Sequence, residues 1–297
     1  MIQWNQGCHG FAGIAVDSLA DEHCAYLMRF LGIHVEAVSP EEAESVIVSH
    51  VEGAAPGTVV IHANLNTAHS STRDAGLLQA LEFPGNLVLF EGIGLKVAHW
   101  LTSGEWRPDA NGTDLVPAVL RKLAHRSIRL VLVGGHDGVA AAAAEEMHRR
   151  FPHVQVVGAW NGYGDRRDEA QLLGAIAKVK PDIVLLGLGT PLQEPLAVAW
   201  AAQTGAKVTW AVGGLLDYLA GVRCRAPWML RLLRLEWLWR LALYPSTYGR
   251  RYVMQGIWLL GQVCRIWTSR WTSGAGRSSV DLDLDRTPGR PANGTGD

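Results

Sequence analysis

From residue 57 onward, short apolar runs alternate with amphipathic stretches. GTVVIHANLN (57–66) reads as a buried strand that runs into a polar loop. NLVLFEGIGLKVAHWL (86–101) repeats that pattern and continues as a helix. IRLVLVGGHDGVAAAAAEEMHRRFP (128–152) is a strand, a glycine turn and an alanine-rich helix. HVQVVGAWNGYG (153–164) is the next strand and loop. Residues 168–205 read as helix, strand, glycine loop and helix, and AKVTWAVGGLLDYLAG (206–221) closes the series. Runs that are apolar throughout, alternating with helices, predict a mostly parallel sheet covered on both faces. SPEEAESVIVSHVEG (39–53) predicts a helix capped by Ser39, with Glu41 and Glu42 in its first turn and Gly53 at its end. SLADEHCAYLMRFLGI (18–33) is compatible with a helix.

The expected fold is α/β, a Rossmann-like sheet flanked by helices. Its predicted parts are an N-terminal extension of unassigned role (1–30), a catalytic domain (31–222), a basic Trp/Arg-rich C-terminal appendage (223–271) and a disordered tail (272–297).

Charge changes this picture locally. The chain of 297 residues has a formal net charge of −1, which argues against a nucleic-acid binder. Between Arg223 and Arg270, however, nine arginines face one glutamate. Such a block suits an anionic partner such as phosphate or phospholipid. The four cysteines form no CxxC pair, fit a reducing cytoplasm and indicate no metal set. No secretory leader is legible. The run from Tyr252 to Cys264 is too short for a spanning helix, which needs about 20 residues. A peripheral, cytoplasmic protein at the inner membrane face is expected. A homo-oligomer is compatible with the sequence.

In open α/β sheets, ligands gather at the carboxyl ends of the strands. The loops HANLN, FEGIG, GGHDG, GLGTPLQE and GGLLDYLAG would sit there. Gly134 and Gly135 lack the GxGxxG spacing, so they serve either a phosphate or a plain tight turn. In GLGTPLQE, Gln193 and Glu194 fall in a helix first turn, where they bind a ligand or cap the helix. Glu91 is a candidate general base or a solvated loop acid. Asp217 meets a ribose or caps a helix. His62 and His69 form no coherent metal set.

Four pieces in order carry a resemblance. They are VLVGGHDGVAAAAA…FPHVQVVGAWNGY, PDIVLLGLGTPLQE, AVGGLLDYLAG and RAPWMLRLLRLEWLWRL…YP…RRY. Together they resemble the WecG/TagA/CpsF family of glycosyltransferases from about Leu31 to Tyr252. The resemblance implies inverting, metal-independent transfer of an N-acetyl-hexosamine-type sugar. The donor would be a UDP-sugar, with no other cofactor, and the acceptor a polyprenyl-diphosphate-linked saccharide at the cytoplasmic membrane surface. Products of such transfer feed exopolysaccharide, capsule or teichoic-acid assembly.

The resemblance places Glu91 where the family has its proposed basic Asp, and Gln193 at the family glutamine near the donor. It assigns Asn64, Gly134, Gly135, Gly189, Gly213, Gly214 and Asp217 to the donor or its nucleotide. The threonine that the family carries two residues before its match to Asn64 is absent, and the resemblance puts His62 there, or Ala63 in the alternative alignment. Arg240 and Arg250 match arginines proposed to hold the acceptor diphosphate. Thr247 replaces a third, and Arg251 beside them can compensate. Two competitors remain. A nicotinamide-dependent oxidoreductase lacks its fingerprint here. A catalytically degenerate member acting as a nucleotide- or membrane-binding scaffold is motivated by Glu91, His62 and Thr247.

Overall fold

The computed structural model describes residues 27–53 and 57–272. The remainder of the predicted N-terminal extension and tail lies outside the described residues. One eight-stranded sheet organises the chain. Its strands are β1 (Leu27–Phe30), β2 (Ile33–Glu36), β3 (Thr58–Ala63), β4 (Leu87–Phe90), β5 (Ile128–Gly134), β6 (Val154–Trp160), β7 (Ile183–Gly187) and β8 (Val208–Ala211). Their order is β1-β2-β4-β3-β8-β7-β5-β6. All neighbours are parallel except the β1–β2 edge hairpin. Among the described residues the sheet therefore includes Leu27–Phe30, inside the stretch expected to precede it. Leu27–Phe30 is a strand where a helix was allowed, because Leu31 and Gly32 take positive φ and turn the chain back.

Side chains alternate between two cores. Val60, Leu132, Leu185 and Trp210 join the core beneath α1 (Pro40–Glu52), α5 (Gly112–Lys122), α6 (Val139–Arg150) and α9 (Leu215–Leu219). Ile61, Val131, Val133 and Val184 join the opposite one. That face is covered by α2 (Leu65–Ser71), α3 (Ala75–Leu81), α4 (Ile93–Ser103), α7 (Glu169–Lys178) and α8 (Gln193–Thr204). This alternation explains why the strand sequences are apolar throughout. Ser39 caps α1 with a complete capping box to Glu42.

The adjacent strands β3 and β8 send their chains to opposite faces, β3 into α2 and β8 into α9. Such divergence opens a crevice at the carboxyl end of the sheet.

The C-terminal segment is three helices, α10 (Trp228–Leu232), α11 (Glu236–Leu243) and α12 (Pro245–Thr272). Taken as one helix, residues 225–252 are apolar all round, which predicts burial. The chain instead breaks at Arg234, whose φ is 59°. Neither α10 nor α11 has a buried residue. The short helices expose Trp228 and Leu232 because each has too few turns to wrap a core of its own. α12 docks on the sheet domain. Gln255 Nε2 donates to Asn66 Oδ1 at 2.7 Å, Trp267 Nε1 donates to the Leu101 carbonyl at 2.8 Å, and Val263 is buried. Among the described residues no helix is long and apolar enough to cross a membrane.

Gly134 is fixed by packing. A Cβ there would lie 2.5 Å from the carbonyl oxygen of Gly187 on the neighbouring strand. Gly134→Ala is therefore expected to destabilise the fold by about 1–3 kcal/mol in chemical denaturation.

Candidate active site

The loops after β3, β4, β7 and β8 enclose a cleft of about 520 Å3, closed on one side by residues of α11 and α12. Asn64, Glu91, Gly189, Gln193, Gly213 and Gly214 line it from the sheet side. Arg223, Arg234, Arg240 and Arg251 line it from the C-terminal segment.

Glu91 follows β4 directly, and its backbone N–H donates to the Ala63 carbonyl at 3.0 Å, extending the pairing of β3 with β4. Its carboxylate is half-buried and held at both oxygens. Asn64 Nδ2 donates to Oε2 at 3.4 Å, and the Gly112 backbone N–H donates to Oε1 at 3.4 Å. Asn64 is itself fixed as the N-cap of α2, its Oδ1 accepting from Asn66 and Thr67. Next to them lies a buried pair, Lys96 Nζ 2.8 Å from Asp109 Oδ1.

His62 is a wall residue. Nδ1–H donates to the Ala110 carbonyl at 3.1 Å, and Nε2 accepts from Trp210 Nε1 at 2.9 Å. With both ring nitrogens engaged, it is spent on structure. Among the described residues no group of His, Cys, Asp and Glu could hold a metal ion.

Gln193 staples two glycine loops. Its Oε1 accepts from the N–H of Gly189 at 3.2 Å and of Gly213 at 3.0 Å. Its Nε2 donates to Glu194 Oε1, which also accepts from Thr190 Oγ1 at 2.6 Å. Glu194 is fully buried, and that burial raises its pKa. The amides of Gly189 and Gly213 are thus engaged inside the protein.

Gly134 and Gly135 do not line the cleft. Gly135 N–H donates to the Gly187 carbonyl at 3.2 Å. Asp217 does not line it either, since its carboxylate pairs with Arg223 Nε at 3.1 Å. Arg250 and Thr247 are exposed and outside the lining.

The arginines differ in their freedom. Arg223 also donates to the Tyr248 hydroxyl at 2.9 Å. Arg251 lies over the ring of Tyr248, 4.6 Å from its centroid. Arg240 Nε is buried with no hydrogen-bond partner. Burial opposes the charge of Arg240, but Tyr252, Tyr218 and Glu91 outweigh it and raise the pKa.

Lys96, Asp109, Arg223 and Arg234 were not singled out from the sequence. Asp109 and Lys96 carry no local signal, because only the fold brings residues 96 and 109 beside Glu91. Arg223 and Arg234 had one, the excess of arginine.

A parallel α/β sheet whose switch-point cleft holds a carboxylate opposite arginines is the arrangement of a group-transfer enzyme acting on a phosphorylated substrate. Residues 28–273 match the model of the Glycosyl transferase WecG/TagA/CpsF family, and the chain belongs to that family. It is a glycosyltransferase. Among its relatives is an N-acetylglucosaminyldiphosphoundecaprenol N-acetyl-beta-D-mannosaminyltransferase of Bacillus subtilis (strain 168). That relative is 28% identical over 195 residues, covering 65% of this chain and 75% of its own length. The protein of the same name from Staphylococcus aureus (strain MRSA252) is 30% identical over 196 residues, covering 64% and 74%.

Burial lowers the His62 pKa below its usual 6.5, against the pull of Glu91 and the Ala110 carbonyl. The unfolded chain then binds this proton more readily than the folded one, so stability falls as pH drops below 6.5. His62→Gln should flatten that part of the pH dependence in denaturant titrations from pH 7 downward.

Proposed function

We propose that the chain moves an N-acetyl-hexosamine-type sugar from a UDP donor to a polyprenyl-diphosphate-linked saccharide, with inversion and without a bound metal. The observation that carries this reading is the cleft itself, with half-buried Glu91 on its sheet side and Arg240, whose charge Glu91 favours, on its C-terminal side. Glu91 takes the proton of the acceptor hydroxyl as that oxygen attacks the anomeric carbon. The bond from that carbon to the UDP oxygen breaks, and its electron pair leaves on the β-phosphate. A single displacement of this kind inverts the anomeric centre. Arg240, Arg251 and Arg223 supply the positive charge that a metal would otherwise bring to the diphosphates. The names of the relatives support a lipid-diphosphate-linked GlcNAc acceptor and a ManNAc-type donor.

A membrane surface is the natural place for a lipid acceptor. Val253, Ile257, Leu260, Trp267 and Trp271 are all exposed on α12 and recur at intervals that keep them on one face. With Trp228 and the arginines nearby in sequence, this face suits an anionic bilayer at the inner side of the cell membrane. A scaffold without turnover is the second reading, favoured by glutamate at 91 and by the uncharged, exposed Thr247.

Release of UDP on mixing protein, a UDP-hexosamine and a lipid-diphosphate-GlcNAc analogue tests the transfer. Glu91→Gln should lower kcat by about 10²–10⁴-fold with UDP binding retained; unchanged turnover would remove Glu91 as the base. Ile257→Glu together with Leu260→Glu should weaken sedimentation with anionic vesicles, and added salt should weaken that of the native chain.

A further inference from the structure

Beside the Glu91 turn lies a buried ion pair that the transfer step does not use. The side chains of Lys96 and Asp109 are 8% and 2% exposed. Desolvation offsets much of the attraction in such a pair, so net stability is a poor reason for it to exist. Its second carboxylate oxygen has other work. Asp109 Oδ2 accepts from the Gly92 backbone N–H at 3.3 Å and lies 3.5 Å from Arg234 Nη1.

The flanking backbone grips the same turn. Ala110 N–H donates to the Phe90 carbonyl at 3.1 Å, and Gly112 N–H donates to Glu91 Oε1 at 3.4 Å. Residues 109–112 therefore hold three consecutive residues, Phe90, Glu91 and Gly92. The turn needs holding, because Gly92 has φ of 89° and lies between strand and helix. On the other side, Arg234 is the residue that breaks the C-terminal segment between α10 and α11. Its side chain is 45% exposed and lines the cleft. One buried carboxylate thus touches both the turn that carries Glu91 and the arginine-rich segment that closes over it.

We propose that Asp109 is a positioning residue of the transfer reaction. It fixes the Glu91 turn through the Gly92 amide and sets the C-terminal segment over that turn through Arg234. Lys96 supplies the counter-charge that lets the carboxylate stay buried. This inference rests on the proposed transfer with Glu91 as base.

The test is to replace the pair by apolar residues of similar size, Lys96→Met with Asp109→Leu. The double variant should melt near the native temperature, because no lone buried charge is left behind. Its kcat should nevertheless fall by about 10- to 100-fold, the cost of a misplaced reacting group. A folded double variant with native kcat would overturn the inference and leave the pair a plain core element. Should the double variant fail to fold, Arg234→Met tests the same link. It should raise the acceptor KM and lower kcat, and native values of both would overturn the inference. Product from the native chain together with full turnover in these variants is the failure of this inference alone. No product from the native chain with any UDP-hexosamine is instead the failure of the transfer reading beneath it.

Discussion

The pairing of β3 with β8 is the constraint on which the rest depends. These strands lie far apart in sequence yet pair at the middle of the sheet, with Val60 opposite Trp210 and Ile61 opposite Ala211. Their chains then leave toward opposite faces, so no helix can close the gap between them. The carboxyl ends of β4 and β7 flank that gap, and each contributes one loop to the cleft. His62, at the end of β3, seals the junction by joining Trp210 of β8 to the Ala110 carbonyl. A histidine there with both nitrogens engaged is a fastener, and its place in the wall explains its burial.

Within this frame the cleft has two chemically distinct walls. The sheet side is made of residues tied to one another. Asn64 is fixed by the helix it caps, Gln193 by two glycine amides, and Glu91 by Asn64 and Gly112. A group held in this way is preorganised for chemistry, since it need not reorient as charge develops. The C-terminal side carries Arg223 and Arg234 on connecting turns, Arg240 on α11 and Arg251 on α12, clamped to the sheet domain by Gln255, Trp267 and the Arg225–Asp114 ion pair. An anionic substrate that enters between the walls meets fixed hydrogen-bonding groups on one side and positive charge on the other.

Much of the sheet was legible in the sequence because its central strands are apolar runs ending in a polar or glycine-bearing loop. The helix over 39–53 was legible from its Ser39 cap, its first-turn acids and its closing Gly53. The β1–β2 edge was not, because Arg29, His34 and Glu36 interrupt the continuous apolar run that marks the equally short β4. Glu91, Asn64, Gln193 and Arg240 could be named from strand ends and from the family pattern, and the fold gathers them around one cleft. Gly134, Gly135 and Asp217 belong to the same class of loops, but a close strand contact and an ion pair occupy them. Asp109 and Lys96 were illegible because a buried ion pair between loop and helix leaves no mark along the chain. The helical break at Arg234 was hidden too, since arginine is not a residue that normally announces a positive φ.

The most direct measurement is the mass of the acceptor. A lipid-diphosphate-GlcNAc analogue is incubated with the native chain and a series of UDP-sugars, with detergent or vesicles present and chelator added. The acceptor should gain the mass of one N-acetyl-hexosamine-type residue with one such donor, and UDP should appear in equal amount. An unchanged acceptor with every donor, from protein that still binds UDP, would contradict the transfer.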